Sequence, residues 1–399
     1  MLSKKIHTIT PSYTISISAK VKALKEKGTD IIDLSIGEPD FFTPEKGKQA
    51  AVEAIDANKT KYDLVPGLVR LREAIADKLN KENHITYTPS EIVVSSGAKN
   101  AITNALLAIL DPGDEVIIPA PYWTSYPEMV KLCHGVPVIV QTKLENAFKI
   151  TVDELALAVS DKTKIVLINN PSNPTGAIYS KEELEPIVDF CINKNLVILA
   201  DEIYESIHYT ETFTSIPSLS DLAKQHTILV NGFSKSAAMT GWRLGYTASN
   251  PEIAEAISML QGHLISHPST IAQWAGYGAL TQGTKDMSDM VATYKRRRDA
   301  LVPILEAIPN INFVYPQGAF YLFIDLSHFQ SATFKKSSGA FSVDFCDLLL
   351  EKYGVAMVPG IAFGNDSFIR ISYATKLELV IEGLKRFSTL LTELEHYTD

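Results

Sequence analysis

The sequence predicts an α/β protein with a large domain around a mostly parallel sheet flanked by helices, plus a smaller α+β domain. Strand-like and helix-like apolar runs alternate through about residue 285, which is the signature of successive βαβ units and hence of a parallel sheet covered on both faces. Beyond that point the rhythm changes to one long charged helix, short strands and further helices. The length, 399 residues, exceeds one ordinary compact domain. We therefore expect a large domain over residues 45–285 and a small domain assembled from residues 1–44 and 286–399.

In chain order, Leu68, Leu71, Ile75 and Leu79 step by three and four, one face of an amphipathic helix. Ile92-Val-Val is a short strand, and the helix after it turns Ile102, Ala105, Leu106 and Ile109 inward. Asp111-Pro-Gly-Asp114 stops that helix, and Val116-Ile-Ile opens the next strand. Ile165-Val-Leu-Ile is a continuous apolar run, as expected for a strand buried on both faces. Ser180-Lys-Glu-Glu183 reads as a capping box for a helix running to about Asn195. Val197–Ala200 and Ile228–Val230 follow as strands. The long helix covers about 285–308, strands lie near Phe313, Phe320–Asp325 and Phe368–Ser372, and Leu377, Val380, Ile381, Leu384, Phe387 and Leu391 line a last helix. Lys335–Gly339 is linker-like.

Charge and cysteine usage narrow the function classes. Lys and Arg total 37 against 46 Asp and Glu, and the net charge of −9 argues against a dedicated partner among nucleic acids or anionic membranes. The N-terminus lacks the apolar core of a secretory signal, and no apolar run approaches a membrane span. Cys133, Cys191 and Cys346 are widely spaced with no CxxC, so they read as buried thiols of a reducing compartment rather than disulfides or a zinc site. A cytoplasmic protein without a metal is the expectation.

The residues that could carry chemistry lie mostly where predicted strands end, the edge at which doubly wound sheets bind ligands. Lys235 follows a strand among small and apolar residues, with Arg243 eight positions on. A desolvated lysine near another cation has a lowered pKa, and the neutral amine is what attacks a carbonyl; an ordinary loop lysine is the plainer alternative. Asp201 ends another strand and needs a cationic partner, which a pyridinium nitrogen can supply, or else it caps the next segment. Asn173 lies between two prolines in a turn that can present its amide. Ser95-Ser-Gly-Ala-Lys99 joins strand to helix, where free N–H groups suit a phosphate. Trp123 could stack on a planar cofactor or pack in the core. Arg370, inside a predicted strand, needs a carboxylate from the protein or from a substrate.

Taken together, these segments resemble the class I pyridoxal-phosphate-dependent aminotransferases of fold type I, in the bacterial aspartate aminotransferase branch. The likeness runs through Gly37-Glu-Pro-Asp40, Lys61-Tyr62, Ser96-Gly-Ala-Lys99, Pro121–Glu128, Asn170–Gly176, Asp201–Glu205, Ser234-Lys235, Met239–Tyr246, Gly318–Tyr321, Val358-Pro-Gly360 and Arg370–Ala374. It implies the fold type I architecture, with a seven-stranded sheet in the large domain, and pyridoxal 5'-phosphate as cofactor. It implies an aspartate:2-oxoglutarate aminotransferase acting by a ping-pong mechanism on amino acids and 2-oxo acids. Aromatic, alanine-type or prephenate aminotransferases are the alternatives, with a lyase on the same scaffold behind them.

By the same resemblance Lys235 carries the cofactor as an internal aldimine and shuttles the proton. Asp201 pairs with the ring nitrogen, Asn173 and Tyr204 bond the ring oxygen, and Trp123 stacks on the ring and borders the substrate. Gly97, Ala98, Lys99, Ser234 and Arg243 surround the phosphate, joined by Tyr62 from the other subunit of a homodimer. Arg370, Gly37 and Asn173 receive the substrate α-carboxylate, and Lys99 is the candidate for the distal one. The loop Asp63-Leu-Val-Pro-Gly-Leu-Val-Arg-Leu-Arg72 departs from the family's usual pattern, which bears on substrate choice more than on chemistry.

Overall fold

The computed structural model describes residues 2–11, 13–332 and 338–396. Of the linker-like patch, 335–337 lie outside these residues. The larger layer is a seven-stranded sheet of β1 (Ile92–Ser95), β2 (Glu115–Ala120), β3 (Val136–Gln141), β4 (Thr163–Asn169), β5 (Val197–Asp201), β6 (Thr227–Gly232) and β7 (Gly245–Ala248), in the spatial order β1-β7-β6-β5-β4-β2-β3. β7 runs antiparallel to both its neighbours. The pairs β2–β3, β2–β4, β4–β5 and β5–β6 are all parallel.

The carboxyl ends of β1, β2, β4, β5 and β6 thus share one edge. The reversed β7 begins at that same edge, which brings Arg243 there from two residues upstream. Its first residue, Gly245, pairs with both Ser95 and Gly232. A Cβ at Gly245 would sit 2.5 Å from the Ala98 nitrogen, so only glycine lets β7 press against the start of the helix Ala98–Ile109.

Helices cover both faces, as continuous apolar strands require. Ala101, Ile102, Ala105 and Leu106 bury one stripe of their helix against Val93, Val230 and Ile257, while Ile109 is half-buried. On the other face Leu184, Ile187, Val188 and Cys191 pack on Ile117, Val166, Ile168 and Ile198. The helix Lys181–Asn193 starts at the capping box read from the sequence: Ser180 Oγ accepts from the Glu183 N–H and Glu183 accepts from the Ser180 N–H. All three cysteines are buried thiols outside any disulfide.

A separate four-stranded antiparallel sheet holds β8 (Asn312–Phe313), β9 (Tyr321–Asp325), β10 (Val358–Pro359) and β11 (Phe368–Ser372), in the order β10-β11-β9-β8. The helices Thr284–Glu306 and Leu377–Glu395 pack on it, the latter burying Val380, Leu384, Phe387 and Leu391 with Leu377 and Ile381 alongside. Residues 32–33 pair in parallel with 355–356, and the Ser372 N–H donates to Leu34 O at 2.8 Å. The N-terminal segment leading to Gly37 is thereby laid beside β11, which carries Arg370.

Two of the seven strands carry no strand signal of the expected kind. β3 is the sheet's edge, half-exposed along its length and containing Pro137, which an edge strand tolerates because one side of its backbone needs no ladder partner. β7, Gly-Tyr-Thr-Ala, is fully buried but too short and too small-residued to read as an apolar run.

Candidate active site

A cavity of about 700 Å³ opens at the shared strand edge, between the two sheets. Gly37, Ala98, Lys99, Trp123, Asn173, Asp201, Tyr204, Ser234, Lys235, Arg243 and Arg370 all line it. The ends of β1, β2, β4, β5 and β6 and the loops after them deliver most of them, the N-terminal segment supplies Gly37, and β11 supplies Arg370. Gly97 lies just behind the wall. Tyr62 stays outside: it is 91% exposed, edge-on to His267.

Lys235 sits on the single turn Phe233–Ser236 that follows β6. Its Nζ donates to the Gly37 carbonyl and lies 5.8 Å from the ring centres of both Tyr204 and Phe320. Burial pushes the amine down to about 8; Arg370 and Arg243 act in the same sense, Glu38 and Asp201 against it. At pH 7 about a tenth of this lysine is then free amine, whereas an exposed loop lysine would be almost wholly ammonium.

Asp201 is 2% exposed at the last position of β5. The Tyr126 hydroxyl donates to it at 2.6 Å and the Ile203 N–H at 3.2 Å. Burial pushes its carboxyl up to about 6 against the pull of Tyr126, the Ile203 N–H and Lys235. The carboxylate lines the cavity, and its two hydrogen-bond donors are neutral groups.

At the other end Arg370 is 3% exposed. Its guanidinium donates to Asn173 Oδ1 at 3.0 Å and to Ser35 O at 2.9 Å, both neutral acceptors. Its Nε is buried with no partner among the described residues. The guanidinium lies 4.3 Å from the ring centre of Tyr321 and 5.0 Å from that of Phe363. Burial lowers its pKa, with Tyr321 and Tyr204 opposing. A buried cation held by neutral groups and facing a cavity is a receptor for an anion, and the planar fork suits a carboxylate.

A second group of donors lines the same cavity. Gly97, at φ 86°, caps the helix that begins at Ala98, and a Cβ on it would come within 2.5 Å of an Arg243 nitrogen. Arg243 itself adopts φ 54° and donates to Thr240 O at 2.8 Å. The first N–H groups of that helix, Arg243 and Ser234 converge on the cavity, the donor set a phosphate requires. Lys99 joins them, its Nζ 4.9 Å above the Trp123 ring and its pKa lowered by burial and by Arg243. Trp123 in turn stands edge-on to Tyr126 at 5.3 Å.

The structure adds residues to which sequence reasoning attached no role. Tyr126 holds Asp201, and Tyr321 meets the Tyr204 hydroxyl at 2.7 Å. Ser35 supplies the carbonyl on Arg370, and Asp33 accepts from the Ser35 N–H and hydroxyl at 3.0 and 2.6 Å. Thr14 and Ser18, from the helix Tyr13–Glu26, also border the cavity. Among the described residues, no cluster of His, Cys, Asp and Glu could hold a metal, and no helix is long and apolar enough to cross a membrane.

Comparison with known proteins agrees with this geometry. The family model for "Aminotransferase class I and II" matches residues 29–387. An aspartate aminotransferase of Bacillus sp. (strain YM-2) is 44% identical over 389 residues, covering 97% of this chain and 98% of its own. A probable aspartate/prephenate aminotransferase of Aquifex aeolicus (strain VF5) is 44% identical over 396 residues, covering 98% and 99%. Among solved structures, the Thermus thermophilus aspartate aminotransferase with maleate superposes with a TM-score of 0.91 at 39% identity, covering 98% of this chain and 99% of that one. The aspartate aminotransferase from Rhizobium meliloti gives 0.93 at 39% identity, covering 98% of each. A half-buried lysine of lowered basicity shares one cavity with Arg243 and Arg370, on a scaffold common along nearly its whole length with transaminases, and this chain is an enzyme of the class I and II aminotransferase family.

Proposed function

We propose that the protein transfers the amino group of L-aspartate to 2-oxoglutarate, with pyridoxal 5'-phosphate as cofactor. The observation that carries the reading is one cavity holding Lys235, buried Asp201 and an Arg370 bonded only to neutral groups. The donor set fits that cofactor. Ala98, Lys99, Ser234 and Arg243 would hold its phosphate, with the partner subunit's Tyr62. Asp201 would pair with its ring nitrogen, and Asn173 and Tyr204 would bond its ring oxygen. Trp123 would cover the ring, and Lys235 would hold the reactive carbon through its amine. When bound, pyridoxal phosphate supplies the carbonyl that takes up the amino group and a ring that withdraws electrons from the α-carbon.

The residues do the rest. Arg370, with Gly37 and Asn173, binds the α-carboxylate and so aims the α-hydrogen at one place. Lys235 would be the base that takes the proton from the α-carbon, and an amine with a pKa of about 8 suits that task near neutral pH. Asp201 would pair as a carboxylate with the ring nitrogen and so favour its protonated form. Lys99 contacts the distal carboxylate, which favours dicarboxylic substrates. The names of relatives support aspartate as the amino donor, and those called aspartate/prephenate aminotransferases keep prephenate as the second reading.

The test is to incubate the enzyme with a panel of amino acids and 2-oxoglutarate and identify each oxo acid formed. Oxaloacetate from aspartate should lead the panel. Arogenate giving the fastest reaction would favour the second reading. Release of pyruvate and ammonia without glutamate would mean a lyase.

A further inference from the structure

We infer that Tyr321 is a positioning residue that donates its hydroxyl proton to Tyr204, making Tyr204's own hydrogen bonding depend on whether Arg370 carries a carboxylate. The inference rests on the reading above, in which Tyr204 bonds the cofactor's ring oxygen and Arg370 receives the α-carboxylate.

Tyr321 opens β9 and is 1% exposed. Tyr204 comes from the loop after β5, so their 2.7 Å hydroxyl contact joins the small sheet to the large one inside the cavity wall. The two rings meet edge-on, with centres 5.8 Å apart, and Phe320 holds Tyr204 from another side at 5.6 Å. A Cβ on Gly37 would lie 3.2 Å from the Tyr321 hydroxyl, so backbone closes the remaining approach. Tyr204 is the hydrogen-bond partner of this hydroxyl among the described residues.

The pair shares one hydrogen bond, so only one hydroxyl donates in it. The Arg370 guanidinium, 4.3 Å from the Tyr321 ring centre, biases that choice. A cation near an aromatic face stabilises electron density drawn toward the ring, and a phenol beside it becomes the better donor. With Tyr321 donating, the Tyr204 proton is free for another acceptor and is strengthened by the bond its oxygen receives. A carboxylate on Arg370 cancels the cation, weakens the bias and is felt at Tyr204 without any backbone movement. Tyr321 therefore links the substrate end of the cavity to the group that bonds the cofactor's ring oxygen.

The test uses the holoenzyme and the pH titration of its visible absorption band, with and without maleate as an unreactive dicarboxylate. Tyr321→Phe keeps the ring and removes only the hydroxyl; its melting temperature reports that the fold is intact. Its titration midpoint should rise by about half a unit to one unit, the size of one lost neutral hydrogen bond. The maleate-induced shift should shrink, and kcat should fall roughly three- to tenfold with KM for aspartate nearly unchanged. The double variant with Tyr204→Phe should titrate like Tyr204→Phe alone. A midpoint and maleate shift equal to wild type would overturn the inference, as would additive shifts in the double variant. A raised KM with an unmoved midpoint would overturn it too, because Tyr321 would then only pack beneath Arg370. A wild-type protein with no visible band would instead overturn the reading of the cavity, and this inference with it.

Discussion

Arg370 and Lys99 are both cations at the cavity, and their surroundings predict different losses. Arg370 is locked into a fork by Asn173 and Ser35, whereas Lys99 carries a point charge on a flexible stem over Trp123. Arg370→Lys should lower kcat/KM for every amino acid by roughly one to two decades, the loss of a charge-assisted contact worth about 1.5–3 kcal/mol. Lys99→Ala should impose a similar loss on aspartate and spare an apolar amino acid. Equal losses on both substrates would assign Lys99 to the phosphate or the fold. Lys235→Ala should abolish transamination and the visible band while the melting temperature holds, and unchanged turnover would remove Lys235 from the chemistry. That Lys235, Asp201, Asn173 and Trp123 would meet at one edge of the sheet was legible in the sequence, because each ends or follows an apolar strand and those strands point one way. Tyr126 and Tyr321 stood inside quoted motifs yet carried no legible role, since what they do depends on hydroxyls meeting Asp201 and Tyr204 across the fold.

The end of β5 concentrates two buried acids, and its pH behaviour follows from them. Glu202 is fully buried, accepting from Ser215 Oγ at 2.6 Å and from the Ile216 N–H at 2.9 Å. Burial and nearby Glu205 push it up to about 8, against Ser215, the Ile216 N–H and Lys78. Asp201 next to it stands at about 6. An acid whose folded pKa lies above its unfolded one keeps its proton on folding, so stability falls as pH climbs between the two values. That window is 4.5 to about 8 for Glu202 and 3.8 to about 6 for Asp201. Lys235 works the other way: its folded value of about 8 lies below 10.5, so stability recovers across that interval. The protein dialysed free of cofactor should therefore melt lowest near pH 8. Glu202→Gln should flatten the acid-side slope, a change on the order of a few kcal/mol, and Lys235→Ala the alkaline one. Identical slopes in Glu202→Gln and wild type would show that Glu202 is ionised in the fold. Such pairings were illegible from sequence: Asp201-Glu202 reads as a polar pair after a strand, and only the burial that the fold imposes on Glu202, with Ser215 and Ile216 donating to it, raises its pKa. The strands β2, β4, β5 and β6 were legible because each holds an unbroken apolar run at its centre, as burial on both faces demands.

At the scale of the whole molecule the unplaced residue is Tyr62. It belongs to the predicted phosphate group, yet it projects from this chain 91% exposed, braced by His267, whose Nε2 accepts from the Asp63 N–H at 3.1 Å. Phe42, 90% exposed, is another large ring left uncovered on the surface. A braced phenol facing solvent fits the proposal that two copies associate and each lends Tyr62 to the other's cavity. Sedimentation at assay concentration should give a dimer, and a fully active monomer would contradict it. Mixing separates the alternatives further. Lys235→Ala should be inactive alone, and Tyr62→Ala should be weak at limiting cofactor because a phosphate contact worth about 1.5–3 kcal/mol is gone. In a mixed dimer, one cavity combines both defects while the other combines an intact Lys235 with the partner subunit's intact Tyr62. Random re-association of equal amounts makes half the dimers mixed, so about a quarter of wild-type activity should return on dissociation and refolding together. If Tyr62 served its own chain, each cavity of a mixed dimer would keep one defect, and mixing would restore nothing beyond the sum of the two variants.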